Sequence, residues 1–217
     1  MNKKVLFAFA AVALLLAFAV GALIFKSKQS EQAAQLAERN RANLVRMHSP
    51  ALGKSDASVE IVEFLDPACE TCRAFYPAVK QMMAANPDRI RLVLRYAPFH
   101  NGSDQVVAIL EAARKQGKFW PALEALLAAQ AAWAPHHRPQ VGLVWKHLEG
   151  LGLNLEQVRA DMAAPEIARV IAQDLDDARA LNVTKTPEFF VNGKPLPIFG
   201  YEQLKGLVDQ ALASARR

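Results

Sequence analysis

The stretch PACETCR, residues 67–73, contains both cysteines of the chain, Cys69 and Cys72. It follows VEIVEFL, residues 59–65, whose β-branched and aromatic side chains predict a buried strand. Residues 73–85 have helical composition, so Cys69 is expected where a helix begins, and there backbone N–H groups and the helix dipole stabilise a thiolate. Cys72 would lie one turn further along, close enough to attack a mixed disulfide on Cys69.

Other roles for two cysteines at this spacing are a metal clip or a structural staple. A zinc site needs two more good ligands, and the five histidines show no ligand spacing. His136 and His137 stand in a Pro-rich loop and are expected at the surface. A Cu(I) site made of two thiolates stays open, because soft ligands suit that ion. A structural disulfide is disfavoured, since a loop of two residues removes little chain entropy.

The elements beyond the cysteines alternate between β and α. A second strand at residues 90–96 would complete a β-α-β unit. The Ala- and Leu-rich stretch that follows has helical spacing and predicts about four packed helices. The last predicted elements are strands at 188–191 and 196–199, a tight turn at Asn192-Gly193 and an amphipathic helix at 201–213.

The N-terminal part of the chain is strongly apolar. Residues 5–25 carry no charge over 21 positions, and a helix of about 1.5 Å per residue would cross the roughly 30 Å hydrocarbon core of a bilayer. A cleaved signal peptide is the alternative, because Lys3 and Lys4 resemble its basic start and residues 17–19 a cleavage site. The run is, however, longer than the roughly 7–15 apolar residues of a signal peptide, which favours an anchor. The net charge of +5 is spread among acids, so nucleic-acid binding is not indicated.

Several motifs together resemble the thioredoxin superfamily. They are EFLDPACETC at residues 63–72, Pro77 inside the following helix, and Thr186-Pro187 before EFFVNG. The helical block between them resembles the DsbA-like thiol–disulfide oxidoreductases over residues 52–215. The resemblance implies an α/β thioredoxin fold with an inserted all-helical domain, preceded by an N-terminal transmembrane helix. The expected parts are a membrane anchor at 1–25, a polar stalk at 26–51, a thioredoxin-fold domain at 52–102 and 182–217, and a helical insertion at 103–181.

The resemblance also implies roles for five residues. Cys69 would be the nucleophile and Cys72 the resolving thiol, with Pro187 as a cis-proline beside them. Thr186 would offer its backbone to an extended substrate and its hydroxyl to the cysteine pair. Glu63 would be a buried acid whose pKa rises on desolvation, so that it exchanges a proton with Cys72.

The dipeptide between the cysteines departs from the family's strongly oxidising members, which carry Pro-His there. Glu70 places a carboxylate beside Cys69 and is expected to raise the pKa of that thiol, against the effect of the helix dipole. We therefore expect a reduction potential between about −270 mV for thioredoxin and about −120 mV for DsbA. The direction of electron flow stays open between oxidase, reductase and isomerase.

The function implied is a protein disulfide oxidoreductase of the bacterial inner membrane with its catalytic domain in the periplasm, an oxidising compartment. Its partners would be proteins with thiols or disulfides and a membrane or periplasmic redox partner, and no cofactor or metal is expected. The alternative is a membrane-tethered chaperone or Cu(I)-binding module that uses the two cysteines as ligands.

Overall fold

The computed structural model describes residues 3–215 of the chain, with side chains from residue 12 onward except at 26, 30, 33 and 34. The ends of the predicted anchor and of the predicted C-terminal segment, residues 1, 2, 216 and 217, lie outside the described residues, as do the side chains of Lys3 and Lys4. The strands are β1 (Ala51–Leu52), β2 (Val59–Leu65), β3 (Ile90–Tyr96), β4 (Glu188–Val191) and β5 (Lys194–Pro195). The helices are α1 (Lys3–Leu44), α2 (Glu70–Ala85), α3 (Ser103–Lys115), α4 (Phe119–Ala128), α5 (Gln130–Trp133), α6 (Val141–Val144), α7 (Leu155–Asp161), α8 (Pro165–Ala180) and α9 (Tyr201–Ser214), with 3-10 turns at Pro135–His137 and Trp145–His147.

The strands form one mixed sheet in the order β1-β3-β2-β4-β5. β2 and β3 are parallel and joined by α2, as in a β-α-β crossover, whereas β4 runs antiparallel to β2. Helices α3 to α8 all lie between β3 and β4 in the chain. The predicted order of strand, helix, strand, helical block, hairpin and helix is therefore confirmed, and so is the α/β fold class.

Strand β2 is buried on both faces because helices cover the sheet from either side. Ile61 and Leu65 belong to the larger core, which includes α2, α9 and the helical block, whereas Val62 and Phe64 belong to a smaller core on the opposite face. Side chains alternate between the faces of a strand. Glu63 therefore points to the same side as Ile61 and Leu65, which places a carboxyl group inside the larger core.

The second strand of the hairpin differs from the prediction. It occupies Lys194–Pro195 rather than 196–199, because the two-residue turn pairs Val191 directly with Lys194. One further bond joins the Leu196 N–H to the Phe189 carbonyl at 2.9 Å. Pro197 has no N–H with which to continue the ladder.

Helix α1 combines the predicted anchor with most of the predicted stalk. The window Val12–Gln29 has a mean hydropathy of 1.6 and is long and apolar enough to cross a membrane. At its other end Leu44 is 2% exposed and packs in the smaller core with Val62, Phe64 and Phe190. The end of α1 is therefore part of the folded domain rather than a free stalk.

A buried charge network fastens this end of α1. Arg95 on β3 is fully buried and donates to the Asn43 carbonyl at 2.6 Å, to Asp174 at 2.7 Å and to Asp177 at 2.6 Å. Arg46, just after α1, donates to the same Asp177 at 2.6 and 2.8 Å. The network connects β3, α8 and the segment that leads out of α1.

We predict that Arg95→Met lowers the free energy of unfolding by about 3–5 kcal/mol, because it leaves buried carboxylates without their main counter-charge. Arg91→Met is the matched control on the same strand. Arg91 pairs with Glu60 at 3.5 Å where both side chains are partly exposed, so its loss should cost at most about 1 kcal/mol. Urea denaturation of both variants measures the difference. If the free energy of unfolding fell equally in the two variants, the network would not stabilise the fold more than a surface ion pair does.

Candidate active site

The cysteine turn joins the end of β2 to the start of α2. Asp66 is fully buried and shapes this turn: its carboxylate accepts the Ala68 N–H at 2.8 Å, and its carbonyl accepts the Cys69 N–H at 3.0 Å. Cys69 is the N-cap of α2, and its sulfur accepts the Cys72 N–H at 3.4 Å. The helix begins at Glu70, three residues before the predicted start, because the cap belongs to Cys69.

The environment of Cys69 favours its thiolate. Hydrogen bonding with the Cys72 side chain lowers the pKa of Cys69 to about 5, with further help from the Thr186 side chain and from the N–H groups of Cys72 and Thr71. Burial opposes this shift, since only 3% of Cys69 is exposed, but is outweighed. The N–H groups of Thr71 and Cys72 belong to the first turn of α2, where N–H groups have no partner within the helix and stabilise anions.

Cys72 behaves in the opposite way. It is 0% exposed, and desolvation raises the pKa of its thiol well above the usual value, assisted by hydrogen bonding to Cys69 and by the charge of Glu63. Both thiols are free in the structure. The pair therefore consists of one group that readily forms a thiolate and one that holds its proton.

Glu63 lies in the core on the α2 side of β2. It is fully buried, and among the described residues neither of its carboxylate oxygens has a hydrogen-bond partner. Burial raises the pKa of Glu63 to about 8, with a smaller contribution from the charge of Cys69. A carboxyl group with such a pKa exchanges protons near neutral pH.

The Thr186–Pro187 peptide bond is cis and lies beside the cysteines. The Cys69 thiol donates to the Thr186 carbonyl at 3.2 Å. Thr186 thus offers the pair a backbone contact in addition to the hydroxyl contact that the sequence suggested. Pro187 is buried directly before β4, the strand next to β2.

Glu70, the residue next to Cys69, does not prevent the fall in the pKa of that thiol. Glu70 is exposed to water at the first position of α2. The pKa of Cys69 falls rather than rises, because the hydrogen bonds from Cys72 and the helix start outweigh a carboxylate in water. The sequence left the balance between Glu70 and the helix dipole open, and in the folded chain the pKa of Cys69 is lowered.

Two histidines and one glutamine near the turn were not identified as site residues from the sequence. His137, expected as free surface, is partly buried with its Nδ1 3.2 Å from the Ala68 carbonyl, and its ring stacks on His100 at 4.6 Å. His100 bonds to Asp66 at 2.7 Å, and Gln130 reaches the Cys69 carbonyl at 2.9 Å. No sequence signal relates these residues to the turn, since the contacts of His100, Gln130 and His137 with it span 34, 61 and 69 positions.

The part of the chain that the structure describes contains no group of three or more His, Cys, Asp or Glu side chains able to hold a metal ion.

A paired-thiol turn at a helix start, opposite a cis-proline on a mixed sheet, defines the thioredoxin-like class of proteins. Residues 46–210 match the family described as Thioredoxin, and the chain belongs to this family. A thioredoxin-like oxidoreductase from Silicibacter pomeroyi DSS-3 is 34% identical, with a TM-score of 0.69 over 80% of this chain and 98% of that one. BdbD from Bacillus subtilis, at 24% identity, has the same fold, with a TM-score of 0.67 over 76% of this chain and 94% of BdbD.

Curated relatives include Na(+)/H(+) antiporters named NhaA. NhaA 3 from Salinispora tropica is 34% identical over 171 residues, which is 76% of this chain and 25% of the antiporter. NhaA from Herminiimonas arsenicoxydans is 31% identical over 85% of this chain and 29% of the antiporter. The chain spans only about a quarter of the length of these curated relatives.

We predict that alkylation of Cys69 by iodoacetamide has a pH midpoint near 5, because the rate follows the thiolate fraction. The rate should fall about tenfold per pH unit below the midpoint and level off above it. Mass spectrometry of the full chain in detergent identifies the modified residue, and Cys69→Ser should remain almost unmodified. A midpoint near about 8.5, as in a free cysteine, would contradict the assignment.

A second prediction concerns Glu63. Its pKa is raised in the folded state, so between about pH 4.5 and 8 the folded protein holds a proton that the unfolded chain releases, and stability falls as pH rises. Glu63→Gln removes this dependence and should stabilise the protein by a few kcal/mol at pH 8 but little at pH 4.5. Urea denaturation at both pH values measures the free energy of unfolding, and Glu60→Gln, at a partly exposed position of β2, is the control. An equal effect at both pH values would contradict the buried-acid assignment.

Proposed function

We propose that this chain is a protein thiol–disulfide oxidoreductase that works through a mixed disulfide at Cys69. The observation that carries the proposal is the divergence of the two thiol pKa values, about 5 for Cys69 and well above the usual value for Cys72. A low pKa gives an attacking or leaving thiolate at neutral pH, whereas a high pKa gives a resolving thiol that stays protonated until it is needed. The similar protein from Silicibacter pomeroyi is described as an oxidoreductase, which supports the same class.

When the pair oxidises a substrate, a substrate thiolate attacks Cys69 in the Cys69–Cys72 disulfide. The sulfur–sulfur bond breaks, Cys72 leaves as a thiolate and takes up a proton. A second substrate thiolate then attacks the substrate sulfur in the mixed disulfide, which forms the substrate disulfide and releases Cys69 as a thiolate. Two electrons pass from the substrate to the pair, and reduction of a substrate follows the same steps backwards.

Glu63 is the proposed proton carrier for Cys72. The charge of Glu63 contributes to the raised pKa of Cys72, which supports an exchange of a proton between the two groups. With a pKa of about 8, Glu63 is mostly protonated at neutral pH and can donate to the departing Cys72 thiolate. In the reverse direction its carboxylate accepts the Cys72 proton.

The surface around Pro187 is the proposed binding site for substrate proteins. Phe75 on α2 lies 4.8 Å from Phe199 and 5.7 Å from Phe189, between ring centroids. Phe199 is 37% exposed and Ile198 is 68% exposed, so apolar surface lies open to solvent next to Phe75 of α2. Such a surface suits an extended and partly unfolded polypeptide, whose backbone would pair with Thr186.

The pKa of Cys69 also bears on the direction of the reaction. A value of about 5 lies between about 7 for thioredoxin and about 3.5 for DsbA. A more stable thiolate makes the pair more oxidising, so we expect a potential between about −270 and −120 mV.

The proposed location is the bacterial inner membrane, with the catalytic domain in the periplasm. The apolar window Val12–Gln29 is long enough to cross the bilayer. The remainder of α1 as far as Leu44 adds about 22 Å of helix and leads into the folded domain. Disulfide chemistry on substrates belongs on the oxidising side of a membrane.

The test uses the full chain purified in detergent. Two rates are measured, the oxidation of reduced ribonuclease and the reduction of insulin. At least one of them should exceed the uncatalysed rate by about tenfold or more, and Cys69→Ser should abolish this activity. In intact spheroplasts a membrane-impermeant maleimide should label Cys69, and carbonate washing should leave the protein in the membrane. Background rates in both assays would overturn the oxidoreductase, and protected thiols would overturn the periplasmic location.

The same preparation tests the alternative of a Cu(I)-binding module. That module would bind one Cu(I) with both thiols and would lose binding in either single Cys→Ser variant. Stoichiometric Cu(I) binding together with background turnover would support the alternative and overturn the proposal.

A further inference from the structure

The helical block contacts the cysteine turn through a buried amide. Gln130 is the first residue of α5 and is fully buried. Its Nε2 lies 2.7 Å from the Pro67 carbonyl and 2.9 Å from the Cys69 carbonyl. One side chain of the block therefore binds two carbonyl groups of the turn, those of Pro67 and of Cys69.

The orientation of this amide follows from its partners. Carbonyl oxygens only accept, so the NH₂ group of Gln130 must face them. Its Oε1 is buried and has no partner among the described residues. An unpaired buried oxygen costs about 1–3 kcal/mol, and an apolar side chain of the same length would avoid that cost. Packing alone does not explain an amide at this position.

A second side chain contacts the turn from the same block. The Nδ1 of His137 lies 3.2 Å from the Ala68 carbonyl and 3.4 Å from the Glu70 N–H. This nitrogen can donate to the carbonyl or accept from the N–H, but one tautomer does only one of these. The ring is held in place by stacking on His100, which in turn bonds to Asp66.

Together these contacts bind three consecutive peptide groups, from the Pro67 carbonyl to the Glu70 N–H. The Pro67 and Cys69 carbonyls face Gln130, and the Ala68 carbonyl faces His137. The N–H groups of Ala68 and Cys69 are held by Asp66, and the His137 Nδ1 holds either the Ala68 carbonyl or the Glu70 N–H, according to its tautomer. The Cys69 carbonyl also accepts the Arg73 N–H of α2 at 3.2 Å, so Gln130 adds a second donor there. A peptide group held in this way does not rotate its negative carbonyl end toward the Cys69 sulfur.

We propose that Gln130 and His137 are positioning residues through which the helical block sets the stability of the Cys69 thiolate. This inference rests on the proposed oxidoreductase function. With the carbonyl ends drawn toward the block, the N–H groups at the start of α2 remain directed at the sulfur. Without that hold, the turn relaxes, the thiolate loses stabilisation and the Cys69–Cys72 disulfide becomes harder to reduce.

The first test is Gln130→Met in the full chain, which keeps the length of the side chain but removes the donor. We expect the pKa of Cys69, followed by thiolate absorbance, to rise by about one unit, with the equilibrium constant against glutathione shifting about tenfold toward the protein disulfide. Gln116→Met is the matched control. Gln116 follows α3 in the same block and bonds to the Asn154 backbone at 2.9 and 3.1 Å, away from the cysteines. It should leave both quantities unchanged.

The second test is His137→Phe, which keeps an aromatic ring on His100 but removes the nitrogen. Because His137 is partly exposed, this variant decides the matter if Gln130→Met does not fold. The pKa of Cys69 should rise by about half a unit, and the equilibrium constant against glutathione should shift about threefold toward the protein disulfide. His136→Phe, at the exposed neighbouring position, should change neither quantity.

The outcomes separate this inference from the proposed function. If the unchanged protein has no cysteine with a pKa near 5, the proposed function fails. If it has one, and both Gln130→Met and His137→Phe match their controls, only the positioning role is overturned.

Discussion

Asp66, at the end of the central strand, is the group on which the shape of the active site depends. Its carboxylate is buried and binds the Ala68 N–H at 2.8 Å, the His100 N–H at 2.9 Å and the His100 ring at 2.7 Å. A buried carboxylate is stable only when such donors surround it. These bonds connect β2 to the cysteine turn and to the loop after β3, so the strand delivers Cys69 to the helix start in one defined geometry.

The chemistry of the site comes from placing similar groups in unequal environments. Cys69 is the cap of a helix and gains hydrogen bonds that outweigh the effect of its burial, so its pKa falls. Cys72 lies one helical turn further along and is fully buried, as is Glu63. Desolvation raises the pKa of Cys72 and that of Glu63. Two thiols three positions apart thereby acquire pKa values shifted in opposite directions.

Much of the fold follows from short-range patterns. The strands at 59–65 and 90–96 have the predicted bounds because β-branched runs buried on both faces have few alternatives. The helix after the cysteines was predicted three residues too late, since composition does not reveal a cysteine acting as a cap. The hairpin strand was misplaced because its register depends on the turn rather than on hydrophobicity. Strand β1, with two residues, gave no signal at all.

The sequence by itself determined the class of the fold, the order of its elements and the cysteine pair that opens a helix, because these depend on neighbours along the chain. The positions of Thr186, Gln130 and His137 at the turn were decided only by the tertiary structure. Contacts between residues 61 to 117 positions apart arise when β4 pairs with β2 and the helical block packs against the start of α2. The pKa of Cys69 depends on hydrogen bonds with Cys72, the Thr186 side chain and Thr71 and on burial, and the contact with Thr186 arises only in the folded chain.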